Sequence, residues 1–169
     1  MRRSACLPFI SVSLIKGAPE LFSELTDSLV TVCLKSDNGN EVANALNTLN
    51  LIVKENTFSE GFFGVMLATI FKSCFRFPSE WNVLSAVDLS YNTLLHKIWT
   101  FYVKETTFRA LSRTAFFSKI ENSKAVIVEA LKSKRPHCVY LALLLFTLFP
   151  RDAGDSSLIP HIIIHGSSR

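Results

Sequence analysis

The sequence has no uninterrupted apolar run long enough to cross a bilayer: the longest, Cys138 to Phe149, is twelve residues, against the roughly 20 that a spanning helix needs. The run from Gly61 to Phe71 is shorter still, so both predict buried core helices, and a membrane-associated protein is not the favoured reading. Glycine and proline are also scarce, at 6 each in 169 residues, against 14 phenylalanines and a 49% hydrophobic composition. That balance argues against disorder over most of the length, and the chain is long enough to bury a core without metal or disulfide support. Cys6, Cys33, Cys74 and Cys138 match neither a CxxC metal clip nor a compact disulfide framework, which predicts buried free thiols in a reducing compartment. The expected location is the cytoplasm or nucleus.

Catalytic signatures are missing as well. There is no G-x-G-x-x-G, Walker loop, G-x-S-x-G or H-E-x-x-H anywhere. His161 and His165 are four apart, but Pro160 and the β-branched Ile162 to Ile164 argue against the helix that would bring them together on a metal. His137 and Cys138 are adjacent and, in a helix, point about 100° apart, which does not favour a Cys-His nucleophile. His96 reads as a helix histidine, and Glu80 and Asp88, eight apart, as separate solvated or helix-start charges. No enzyme activity, cofactor, metal or small-molecule substrate is expected.

No window sustains the apolar–polar alternation of a strand, and the chain reads as all-α. Between Pro19 and Lys35, Leu21, Phe22, Leu25, Leu29, Val30 and Val32 recur at three and four. Ser36 to Asn40 is a turn in which Asn and Gly are expected to take the left-handed conformation that ends a helix. A second helix begins near Asn40 with Val42, Ala45, Leu46, Leu49, Ile52 and Val53 on its stripe. Thr57 and Glu60 fit a capping box that opens a third helix, from about Ser59 to Phe75. Pro78 stops it, and Ser79 can cap a fourth and longest one carrying Trp81 through Phe101. Further helices are expected at 107–120, at 122–133 with Val126, Ile127, Ala130 and Leu131 inward, and from Pro136 to Phe149.

Val53-Lys54-Glu55-Asn56-Thr57-Phe58 returns with one change as Val103-Lys104-Glu105-Thr106-Thr107-Phe108, an offset of 50 residues that marks two equivalent helix junctions. Ile120 to Leu131, the polar Lys132 to Pro136 and the apolar Val139 to Leu148 supply a helix, a short turn and a more apolar helix. Over residues 18–149 this pattern resembles an armadillo or HEAT-like array, here of about seven helices in stacked hairpins. The resemblance implies a noncatalytic scaffold or adaptor that holds partner peptides or proteins along a helix-lined groove.

The chain divides into three segments. Residues 1–17 read as a first helix or weakly ordered segment rather than a leader, although Arg2 and Arg3 precede a broken apolar stretch and no acid occurs before Glu20. Residues 18–149 form the helical repeat domain. From 150 to 169 no helical stripe continues, as expected of a loosely ordered tail in a fragment or alternative isoform of a larger solenoid.

Charge is the one asymmetric property. Residues 104–135 carry eight cations against three acids, whereas the rest holds ten against eleven. Arg109 and Arg113 share a helix face, and Lys132, Lys134 and Arg135 cluster at a helix end, forming a basic face that could meet an acidic partner. Nucleic-acid binding is the alternative, less favoured because no aromatic-stacking motif or recognised reader fold accompanies the charge.

Overall fold

A computed structural model describes residues 20–56, 60–105 and 123–146, which form six helices: α1 (Leu21–Lys35), α2 (Gly39–Glu55), α3 (Glu60–Arg76), α4 (Trp81–Glu105), α5 (Ser123–Lys132) and α6 (Pro136–Phe146). No strand occurs among the described residues, so the all-α expectation stands. The expected helix at 107–120, the segment 1–17, the tail 150–169, Thr57 of the expected capping box and the histidines His161 and His165 lie outside them. Among the described residues no helix is long and apolar enough to cross a membrane.

α3 lies at the centre, packed against α1, α4, α5 and α6, while α2 pairs with α1 and makes its broadest contact with α4. Periodicity explains why. The long α4 buries Val83, Ala86, Val87, Ser90, Tyr91, Leu94 and Ile98, a stripe at three and four that holds one face inward for most of its length. Its small residues allow close approach to α2: Ser90 Oγ donates to the backbone oxygen of Leu46 at 3.2 Å. α3 is inward on more than one side, with Phe63, Met66, Leu67, Ile70, Phe71 and Cys74 all buried. Edge-to-face ring pairs seat it, Phe63 on Phe101 at 5.3 Å and Phe71 on Tyr91 at 5.6 Å.

The turn between α1 and α2 departs from expectation. Ser36 (φ −68°, ψ 137°) and Asn38 (φ −96°, ψ 112°) are extended, and no described glycine has positive φ. Three residues must carry the chain from one helix to the next, and an extended path lets Asn38 cap α2: its Oδ1 accepts from the amides of Asn40 (2.9 Å) and Glu41 (3.3 Å). Gly39 is already helical, and its missing Cβ leaves room for the carboxylate of Glu80 from the turn before α4.

The left-handed residue lies elsewhere, at Lys134 (φ 58°) in the junction of α5 and α6. A side chain there crowds its own carbonyl, at a cost of about 1–2 kcal/mol that glycine avoids. Part of that gain is offset by the greater freedom of an unfolded glycine, so Lys134→Gly should stabilise the protein by about 0.5–1 kcal/mol. Thermal unfolding checks this, and an unchanged or lower Tm would contradict it.

Candidate functional site

An open groove of about 1040 Å³ lies where the end of α3 meets α5 and the start of α6. Phe75, Ala125 and Val128 supply its apolar surface, and Arg76, Lys124, Lys132 and Arg135 surround it, with Glu129 the one acid among the lining residues. The α5 wall follows from helical spacing. Lys124, Val128 and Lys132 lie at i, i+4 and i+8 and share a face, while Val126, Ile127, Ala130 and Leu131 are buried behind it, as their stripe predicts. A smaller cleft of about 270 Å³ lies between α1 and α3, lined by Val30, Leu34, Val65 and Ala68 among others.

The two arginines of the groove have structural partners. Arg76 Nη1 donates to the Cys33 oxygen at 2.7 Å, its Nη2 donates to the Ser36 oxygen, and Asp37 lies 3.6 Å away. Its guanidinium thus satisfies carbonyls at the end of α1, where the helix dipole is negative. Arg135 does the same for α3: Nη1 donates to the Phe75 oxygen, and Cζ stands 5.9 Å from the Phe75 ring centroid. Both guanidinium groups are thus oriented by helix ends while keeping their charge. The exposed cations of the groove are Lys124, Lys132 and Arg135, the last of them oriented by its cap contact.

Of the basic face expected from sequence, Lys132 and Arg135 line this groove. Lys134 is exposed but is not among the lining residues, and Arg109 and Arg113 lie outside the described residues. Two groove cations escaped the sequence reading as site residues. Lys124 had a signal in its i, i+8 relation to Lys132; Arg76, 59 positions before Arg135, had none.

A second polar cluster sits behind the groove, where α3, α4 and α6 converge. The helical turn sends His137 and Cys138 to different partners. His137 Nε2 lies 2.7 Å from Asp88 Oδ1, and Cys138 Sγ lies 3.2 Å from Cys74 Sγ. Asp88 keeps about half of its side chain exposed and is paired across 49 residues, a partner that nothing local in the sequence signals. The buried thiols titrate as a pair. Cys138 ionises first, below the ordinary thiol range, because Cys74 hydrogen-bonds its thiolate and the Arg135 guanidinium is near. Cys74 is pushed well up by that same bond and by burial. Cys33, also buried, is pushed up to about 12, mainly by desolvation. Among the described residues no group of three or more His, Cys, Asp or Glu stands together as a metal site.

No protein family profile matches the chain, and no curated protein or solved structure matches it.

Proposed function

We propose that the chain is a noncatalytic helical scaffold or adaptor that holds an acidic segment of a partner protein in the groove between α3 and α5. The observation that carries this reading is the groove itself: an apolar surface from Phe75 and Val128 flanked by Lys124 and Lys132 in an open depression of about 1040 Å³. Such a depression suits an extended or helical peptide better than an enclosed small molecule, and the lysines favour acidic residues beside apolar anchors. The armadillo or HEAT-like architecture belongs to the same proposal. Its support is the contact pattern, with α1 on α2 and α3 on α4 as hairpins, and with α1 against α3 and α2 against α4 between them. Cytoplasm or nucleus is the proposed location, from the free buried thiols Cys33, Cys74 and Cys138.

The double variant Lys124→Glu/Lys132→Glu tests the groove without disturbing the capping arginines. Fluorescence anisotropy with labelled peptides carrying apolar anchors among acidic, neutral or basic residues should show preference for the acidic set. The variant should weaken that binding about 10-fold, the scale of two exposed ion pairs reversed in sign. Equal binding of all three sets, or no change in the variant, would refute the reading. Tighter binding of duplex or single-stranded oligonucleotides, with steep salt dependence, would replace it with the nucleic-acid alternative.

A further inference from the structure

Cys74 and Cys138 are 64 residues apart in sequence, yet their sulfurs touch at 3.2 Å in the interior, each residue 1% exposed. Both sit at helix ends, Cys74 in the last turn of α3 and Cys138 in the first turn of α6. A disulfide needs its sulfurs about 2.05 Å apart, so closure asks for a shift of about 1.2 Å, within reach of small side-chain rotations at element ends. The surroundings also separate this pair from Cys33, a buried free thiol whose carbonyl accepts from the Arg76 guanidinium.

We propose that Cys74 and Cys138 form a redox-sensitive dithiol that closes to a disulfide on exposure to peroxide, tying the end of α3 to the start of α6. Cys138 is the attacking sulfur. Its thiolate is the better stabilised of the two, with Cys74 as hydrogen-bond donor and Arg135 nearby. The thiolate attacks one peroxide oxygen, the O–O bond breaks, and with a proton taken up water leaves and Cys138 is a sulfenic acid. The Cys74 sulfur then attacks the Cys138 sulfur, the S–S bond forms, and the sulfenic oxygen departs with the Cys74 proton as a second water. Overall two thiols and one hydrogen peroxide give one disulfide and two waters, with two electrons passing from the sulfurs to the peroxide. Cys74 precedes the groove residue Phe75, and Cys138 lies three positions after the groove residue Arg135. The bond therefore pins the corner where Arg135 caps α3. It would do so whether or not the groove binds a peptide.

The test uses the full chain, reduced, exposed to stoichiometric hydrogen peroxide, quenched, unfolded and alkylated before non-reducing digestion and mass spectrometry. The expected product joins the Cys74 and Cys138 peptides with the loss of two hydrogens, is cleaved by dithiothreitol, and leaves Cys6 and Cys33 alkylated. The oxidised protein should unfold on the order of 5–10 °C higher than the reduced one, since the bond closes a long loop. Cys74→Ser should leave Cys138 as a sulfenic acid trapped by dimedone; if that variant misfolds, the wild-type cross-link map alone decides. Full alkylation of Cys74 and Cys138 after treatment, their separate over-oxidation, or pairing with Cys6 or Cys33 would overturn the proposal.

Discussion

Tyr91→Ala should lower stability by about 4 kcal/mol, and Tyr91→Phe by about 1–2 kcal/mol. Tyr91 lies in the middle of α4 with none of its surface exposed. It touches two other helices by different means. Its ring stands edge-on to Phe71 of α3 at 5.6 Å, with planes 88° apart, and its hydroxyl donates to the Leu141 oxygen of α6 at 2.7 Å. Removing the ring leaves a cavity bounded by two helices that are themselves packed together, which limits collapse and sets the cost near that of other buried aromatic truncations. Removing the hydroxyl alone keeps the packing and loses one buried hydrogen bond across 50 residues. Urea unfolding followed by circular dichroism separates the two. Equal losses for Ala and Phe would mean that the hydrogen bond carries the site, and a loss below about 2 kcal/mol for Ala would mean that the core around α3 relaxes freely.

The contrast between ring and hydroxyl also separates what was legible in the sequence from what was not. Packing faces were largely legible because they are periodic, although Trp81, expected on the stripe of α4, is 79% exposed. Val126, Ile127, Ala130 and Leu131 are buried on α5, and Val42, Ala45, Leu46, Leu49, Ile52 and Val53 on α2, where spacing places them. The recurring Val-Lys-Glu falls on α2 and α4, which form the broadest contact among the described helices, while Thr57 to Phe58 and Thr106 to Phe108 of the two copies lie outside the described residues. The polar partners were not legible, since each depends on the path of the chain between helices. Asn38 looked like a turn former and is an N-cap, and Asp88 looked solvated and meets His137. Arg135 read as one of a local cluster with Lys132 and Lys134. Its guanidinium turns instead onto Phe75, 60 residues away, so that of the two exposed cations of this cluster that line the groove, Lys132 and Arg135, one also caps a helix end. A charge count thus finds a basic region without revealing which cations are already committed to helix ends.

Alkaline pH should unfold the protein through its buried thiol and phenol. Cys33 is pushed up to about 12 by burial, and Tyr91 is also pushed above its usual range by burial. Each folded value lies above the unfolded one, so each contribution is fully present below the unfolded value and is lost as pH rises through the folded one. For Cys33 the window runs from about 9 to about 12, with a slope of about 1.4 kcal/mol per pH unit, and hence about 4 kcal/mol at its upper end. Tyr91 adds to the loss above about pH 10, the ordinary range of a phenol. Of the Cys74–Cys138 pair, the lowered Cys138 is ionised in both states above about pH 9 and adds no slope there, whereas the raised Cys74 adds a decline of its own over the same interval. Against a total stability of about 5–15 kcal/mol, losses of this size remove a large fraction of what holds the fold. Denaturant titrations at pH 8 to 11.5, kept reduced with a phosphine, should show stability falling from about pH 9. Cys33→Ala lowers stability at pH 8 by opening a small cavity, yet it should make the decline between pH 9 and 10 shallower, leaving the share of Cys74, before the phenol contributes. An equally steep decline in that interval for the variant would assign the alkaline sensitivity to groups other than Cys33.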